Sequence, residues 1–212
     1  MRFLTTAALF AIAAATVVAQ APATTTTAAP VELKVGDAAP DFTLPASDGK
    51  TYKLSSFKGK EAVVIAWFPK AATQGCTIEC KSLAEHGDLI RKYKVAYFMA
   101  SVDPIEKNTE LAKMTSVTLG QTVVEKKEAD FPILSDPTKE TATAYGVLAA
   151  PMTGVARRWT FYIGKDGKIL AIDKTIKPPT SAEDMAAKLG ELNVEPAKNR
   201  SSVTPGRNHP RQ

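Results

Sequence analysis

The strongest constraint on the fold is the run AVVIAWF, residues 62–68, which is apolar at every position. A run of this length is typical of a β-strand buried on both faces. Residues 94–102, KVAYFMASV, have nearly the same character. Because such strands need cover on both sides, the sequence predicts an α/β protein in which a central mixed sheet lies between helices.

The other predicted elements alternate around these two strands. Turn sequences predict an N-terminal β-hairpin over 41–54 and a second hairpin over 158–173. Helical patterns cover Thr77–Arg91 and Ser181–Leu192. A third helix is predicted to open with Asp103 as N-cap, Pro104 at the first position and Glu106 at the third. A fourth, also capped, is predicted from Asp136 to Tyr145. Phe131–Leu134 is predicted to be a short strand, whereas helix and strand signals compete over 115–128.

The two ends of the chain differ from this globular part. Arg2 and the apolar run that follows predict a signal peptide over 1–19, because Thr and Ala make the run too weak for a membrane anchor. We therefore expect an exported, extracytoplasmic protein with no membrane insertion after cleavage. Residues 20–30 are predicted to be a disordered Ala/Thr/Pro tether, 31–194 the folded domain, and 195–212 a disordered basic tail. The tail carries most of the net charge of +5, so a nucleic-acid partner has little support.

The stretch TQGCTIEC holds both cysteines of the chain, Cys76 and Cys80. It lies where a buried strand ends and a helix begins. Free N–H groups and the dipole at a helix N-terminus stabilise an anion, here a thiolate at Cys76. Gly75 allows a close approach to this turn, and Cys80 follows one helical turn later on the same face.

These residues resemble the peroxiredoxins. PKAATQGC fits the active-site pattern of Pro, three residues, Thr or Ser, two residues and Cys, and GDAAPDFTLPASDGKTYKLSSFKGK, LSDPTKETATAYGV and RRWTFYIGKDGKI are similar to the bacterioferritin-comigratory, PrxQ-type branch of the AhpC/TSA family. The resemblance covers about residues 35–192. It implies a thioredoxin-like fold and a thiol peroxidase for hydrogen peroxide or alkyl hydroperoxides that needs no metal, haem or flavin.

The resemblance also implies roles for individual residues. Cys76 matches the peroxidatic nucleophile. Thr73 matches a hydroxyl that contacts the thiolate and the peroxide, and Pro69 matches a residue that shields the sulfur from water. Arg158 matches the arginine that stabilises the thiolate and the developing charge on the leaving oxygen. Glu79 matches the acidic residue that orients this arginine.

Cys80 departs from the usual pattern, in which the resolving cysteine comes five residues after the first. The four-residue spacing places the Cβ atoms about 5–6 Å apart on an intact helix, whereas a disulfide needs about 3.5–4.5 Å. Our hypothesis is that Cys80 attacks a sulfenic acid on Cys76 after local unwinding. The alternative is a one-cysteine mechanism in which Cys80 is inert.

Two other function classes use similar cysteine pairs. Sco-type copper-delivery proteins bind copper through CxxxC and a distant histidine, but this chain offers only His86 and His209. Exported thiol–disulfide oxidoreductases carry WCxxC, whereas Trp67 lies nine residues before Cys76 and is expected in the core. For the peroxidase we expect a thioredoxin-like electron donor and a monomer, and the sequence does not choose between peroxide substrates.

Overall fold

The computed structural model of the chain describes residues 32–149 and 154–197. The predicted signal peptide and tether, and all but the first three residues of the predicted tail, lie outside these ranges. No helix in the described ranges is long and apolar enough to cross a membrane.

Nine strands and four α-helices make up the described chain. In order they are β1 (Thr43–Pro45), β2 (Thr51–Lys53), β3 (Ala62–Trp67), α1 (Gln74–Ile90), β4 (Val95–Ser101), α2 (Ile105–Lys113), β5 (Ser116–Leu119), β6 (Thr122–Glu125), β7 (Ile133–Ser135), α3 (Glu140–Ala144), β8 (Thr160–Ile163), β9 (Ile169–Asp173) and α4 (Ser181–Glu191). Five strands form the central sheet in the order β7-β4-β3-β8-β9. The first three are mutually parallel, β8 pairs antiparallel with β3, and β9 pairs antiparallel with β8. The predicted mixed sheet is confirmed, as is the N-terminal hairpin, which is β1–β2.

Strand β3 lies at the centre of the sheet and has all six residues buried. Its alternate side chains enter two separate cores, as the two-residue period of a strand requires. Val64 and Ala66 pack with α1, α2 and α4 in a core that also contains both cysteines. Ile65 and Trp67 pack on the other face with the β1–β2 hairpin and α3. The prediction that Trp67 is a core residue is therefore confirmed.

Two predicted helix starts are wrong. The N-cap of α2 is Pro104, not Asp103, and α3 begins only at Glu140, after Lys139 in the left-handed region. In both cases the aspartate expected to cap the helix accepts other hydrogen bonds. Asp103 Oδ2 accepts from the backbone N–H of Ala71 and from Ser101 Oγ, so a tertiary contact displaces the local cap.

The ambiguous segment 115–128 contains a hairpin. Strands β5 and β6 pair antiparallel as a separate two-stranded sheet around the turn at Gly120. The end of β6 reaches α1, where Lys81 Nζ donates to the carbonyl of Glu125 over 2.6 Å. The sequence leaves helix and strand open here, and the structure has strands because β5 and β6 supply each other's hydrogen bonds.

Backbone hydrogen bonds continue past the predicted domain end at residue 194. The N–H of Lys94 donates to the carbonyl of Glu195, and the N–H of Ala197 donates to the carbonyl of Lys92. The first three residues of the predicted tail therefore lie along the segment that leads into β4.

Candidate active site

A short turn joins the end of β3 to the start of α1 and delivers Cys76 to its position. Ala72 adopts a left-handed conformation with φ of 59°, which reverses the chain before the helix. The N–H of Ala71 is held by Asp103 from the end of β4 over 2.8 Å. Thr73 is the N-cap residue of α1 by position, although its side chain makes no capping hydrogen bond. The turn is therefore fixed by a neighbouring strand end as well as by the helix.

Cys76 lies in the first turn of α1 and is fully buried. Its sulfur accepts a hydrogen bond of 3.1 Å from Nη2 of Arg158, which precedes β8. The guanidinium fits because Gly75 has no side chain: a Cβ on this glycine would lie 3.2 Å from Arg158 Nη2. The close approach that we expect at Gly75 is that of the Arg158 guanidinium.

Glu79 and Arg158 form an ion pair beneath this sulfur. Arg158 Nη1 donates to Glu79 Oε2, the glutamate side chain is fully buried, and the arginine side chain is 19% exposed. The other carboxylate oxygen, Oε1, is buried and has no hydrogen-bond partner among the described residues. The structure therefore brings Cys76, Glu79 and Arg158 together. One terminal nitrogen of the guanidinium group, Nη2, donates to the sulfur, and the other, Nη1, donates to the carboxylate.

Pro69 and Thr73 lie at the outer side of this arrangement. Pro69 is half-buried and Thr73 is exposed. The Thr73 hydroxyl donates to the carbonyl of Lys70 over 3.0 Å rather than to Cys76. Their predicted roles in shielding the sulfur and in contacting peroxide stay predictions.

Cys80 lies one turn further along α1, fully buried, and both cysteines are free thiols. Burial raises the pKa of the Cys80 thiol to about 11, while the nearby ammonium of Lys126 acts in the opposite direction. Burial lowers the pKa of Lys126 in turn, and Cys80 opposes that shift. The two side chains therefore influence each other's charge.

Sequence reasoning missed two residues around this site. Asp103 was interpreted as a helix cap, and its contact with Ala71 has no local sequence signal because the two residues lie 32 positions apart. Lys126 lies in the segment where no element could be assigned, and a pair of adjacent lysines between Glu125 and Glu128 carries no motif. Only the packing of the β5–β6 hairpin against α1 reveals it.

The two cysteines have no further metal ligands grouped with them in the described part of the chain. Within residues 32–149 and 154–197, no group of three or more His, Cys, Asp or Glu residues could hold a metal ion. His86 is an exposed residue of α1 that lies 3.8 Å from Glu183, and His209 lies outside the described residues. Copper delivery through the two cysteines is not favoured.

Comparison with known proteins decides the family. The sequence profile of the AhpC/TSA family matches residues 35–172. The chain belongs to the AhpC/TSA family. Its curated relatives include Peroxiredoxin Bcp of Escherichia coli K12, which is 33% identical over 143 residues that make up 65% of this chain and 83% of that protein. Putative peroxiredoxin Rv2521 of Mycobacterium tuberculosis is 32% identical over 152 residues, 68% of this chain and 87% of that protein.

Solved structures of peroxiredoxins have the same fold. Peroxidoxin BcpB from Mycobacterium tuberculosis superposes with a TM-score of 0.64 at 26% identity, covering 76% of this chain and 98% of that one. A PrxQ variant from Xylella fastidiosa gives a TM-score of 0.61 at 21% identity, covering 77% and 99%. The predictions of a thioredoxin-like fold and of a peroxiredoxin-type thiol peroxidase are confirmed.

Proposed function

We propose that this peroxiredoxin reduces hydrogen peroxide or alkyl hydroperoxides through Cys76 and that Cys80 resolves the oxidised sulfur. The observation that carries the proposal is the contact of Arg158 Nη2 with Cys76 Sγ over 3.1 Å. A fixed guanidinium beside a sulfur at a helix N-terminus stabilises a thiolate, which is the reactive form. Glu79 holds this guanidinium in place through its second nitrogen.

In the first step the Cys76 thiolate attacks one oxygen of the peroxide. A sulfur–oxygen bond forms, the oxygen–oxygen bond breaks, and the sulfur is oxidised to a sulfenic acid while the leaving oxygen departs as water or an alcohol after taking up a proton. Arg158 stabilises the negative charge on the leaving oxygen. We assign Thr73 to hold the peroxide through its hydroxyl after a change of partner from Lys70, and Pro69 to limit the access of water.

In the second step Cys80 attacks the sulfenic acid. A sulfur–sulfur bond forms, the sulfur–oxygen bond of Cys76 breaks, and water leaves. Because α1 is a continuous helix through both cysteines, the first turn of the helix has to open before the two sulfur atoms meet. Opening of this turn releases Cys76 from its buried position and breaks its contact with Arg158.

The disulfide is then reduced by an external dithiol, for which a thioredoxin-like protein is the natural class in this family. An exported protein would need such a donor outside the cytoplasm, and the predicted signal peptide supports this location. An intramolecular disulfide needs no second subunit, which supports a monomer.

Peroxide consumption with dithiothreitol by the wild type, Cys76→Ser and Cys80→Ser tests the assignment. We expect Cys76→Ser to lose activity; activity retained in this variant would disprove the proposal. Mass spectrometry after one equivalent of peroxide tests the second step, because the disulfide makes the chain two hydrogens lighter. A stable sulfenic acid on Cys76 with Cys80 still free would show a one-cysteine mechanism instead.

A further inference from the structure

Among residues 32–149 and 154–197, the side chain of Lys126 is buried without a carboxylate partner. Glu79, Asp136 and Lys126 are the buried charged residues in the described chain. Asp136 accepts from the N–H of Ala142 and from the Thr138 hydroxyl, and Glu79 has Arg158. The ammonium of Lys126 contacts only carbonyl oxygens, those of Ala112 at 3.3 Å and Lys127 at 3.0 Å. Burial of an ammonium group without an anion costs free energy. The buried position of Lys126 is therefore a candidate for a functional role.

Three backbone contacts fix Lys126 between α1 and α2. Its own N–H donates to the carbonyl of Thr115 at the start of the β5–β6 hairpin. Lys81, the residue after Cys80, donates to the carbonyl of Glu125, the residue before Lys126. Ala129 donates to the carbonyl of Ala112, the same oxygen that the ammonium contacts. The hairpin end is therefore tied to the helical turn that carries Cys80.

Few other charges act at this position. Cys80 is the largest electrostatic influence on Lys126, followed by Glu128 on the same segment, and Cys76 adds a smaller effect on Cys80. The nearby Lys81 forms an ion pair of 2.5 Å with Glu85. The group of α2 that contacts the ammonium of Lys126 is the neutral carbonyl of Ala112, and Ala112 packs in the same buried cluster as Cys80. Lys126 is therefore a cation at the cluster that holds Cys80, whereas Arg158 contacts Cys76 directly.

We propose that Lys126 supports the resolving step by stabilising the thiolate of Cys80. This inference rests on the proposed resolving role of Cys80. The proton leaves Cys80 Sγ, the thiolate attacks the sulfur of the Cys76 sulfenic acid, and the departing hydroxide takes up a proton to leave as water. The sulfur of Cys76 is reduced and that of Cys80 is oxidised, while the charge of Lys126 is the same before and after.

The competing explanation is that Lys126 only caps α2. Ala112 lies in the last turn of that helix, where a cation or any donor satisfies a free carbonyl. A neutral donor would serve this structural purpose as well. Lys126→Gln retains a donor and removes the charge, so it separates the two roles. The matched control is Lys127→Gln, since Lys127 is adjacent and exposed.

The experiment forms the Cys76 sulfenic acid in the reduced protein with one equivalent of hydrogen peroxide and follows the Cys76–Cys80 disulfide by rapid quench and mass spectrometry. At neutral pH we expect Lys126→Gln to slow disulfide formation about tenfold, the effect of losing one opposite charge near a thiol. Further oxidation of Cys76 to the sulfinic acid should increase accordingly. Lys127→Gln should stay within about twofold of the wild type.

A pH series distinguishes an electrostatic role from a structural one. In the wild type, the rate should rise with pH and level off once the Cys80 thiol is largely ionised. Lys126→Gln should reach this level only at higher pH, because its thiolate has no cation nearby, so the two curves converge at alkaline pH. The same rate in both proteins at neutral pH, or the same deficit at every pH, would overturn the inference.

Two further outcomes are decisive. If Lys126→Gln does not fold, Lys126→Met, which removes the charge and keeps a long side chain, takes its place, and a rate of disulfide formation within about twofold of the wild type at neutral pH would overturn the role of Lys126. If the wild type forms no Cys76–Cys80 disulfide, the resolving role of Cys80 fails, and the inference fails with it. A normal disulfide in the wild type with no effect of Lys126→Gln overturns the inference alone and leaves the proposed function intact.

Discussion

Arg158 donates to the sulfur of Cys76 over 3.1 Å although the two residues lie 82 positions apart in the chain. The contact joins the start of α1 to the segment before β8, two elements that flank the central strand β3. Because the same guanidinium also pairs with Glu79, its orientation is fixed by two acceptors on one helix. The chemistry of the site therefore depends on how α1 and the segment before β8 pack against each other.

Arg158→Met should lower kcat/KM for hydrogen peroxide by about 10²–10³-fold, the usual cost of removing a donor aimed at developing negative charge. The matched control is Arg157→Met. Arg157 is exposed and contacts the Trp159 ring rather than the sulfur, so its loss should change kcat/KM by less than about twofold. A steady-state assay with dithiothreitol checks both variants, and equal losses in the two would contradict the assigned role.

Glu79→Gln should lower both stability and activity, because it leaves the guanidinium of Arg158 without its buried partner. Breaking a buried pair costs about 3 kcal/mol of unfolding free energy, measurable by urea denaturation. Since Glu79 acts through Arg158, the double variant Glu79→Gln with Arg158→Met should lose no more activity than Arg158→Met alone. Glu85→Gln, which breaks the partly exposed pair with Lys81, should cost less than about 1 kcal/mol.

Gly75→Ala should separate activity from stability. A Cβ at this position would lie 3.2 Å from Arg158 Nη2, so the guanidinium must move away from Cys76, and we expect kcat/KM to fall about tenfold. Alanine is the better helix former by about 1 kcal/mol, so the unfolding free energy should not fall in parallel. A large loss of stability with unchanged activity would show that the guanidinium position does not depend on this glycine.

Alkaline pH should destabilise the reduced protein partly through Cys80. The pKa of this thiol is raised from 9.0 to about 11 by burial, so the unfolded chain ionises first. The stabilisation is complete below about pH 9 and is lost as pH rises towards 11, with a total of about 3 kcal/mol. Urea unfolding of the wild type and Cys80→Ala across this range measures the difference, because tyrosines such as Tyr97 affect both proteins alike. Parallel curves for the two proteins would contradict a buried, neutral thiol.

Local signals in the sequence were sufficient for most of the fold and for part of the site. The apolar runs of β3 and β4 predict buried strands because their short length and their β-branched and aromatic residues favour a strand over a buried helix. The local pattern placed Cys76 at a helix N-terminus, and the resemblance to the peroxiredoxins implied Glu79 and Arg158 as its partners. The structure brings these three residues together. The wrong helix starts at Asp103 and Asp136 have a common cause: each carboxylate has contacts that the local capping pattern does not reveal.

The sequence by itself determined the alternation of strands and helices, the family and the residues of the motif, since these depend on local periodicity and spacing. Only the tertiary structure decided how the two cations are placed. Arg158 contacts Cys76 because β8 pairs with β3. The ammonium of Lys126 contacts Ala112, in the same buried cluster as Cys80, because the β5–β6 hairpin is tied to α1. Charge interactions fall with distance in space and not along the chain, so residues far apart in sequence become partners only after the sheet and helices have packed.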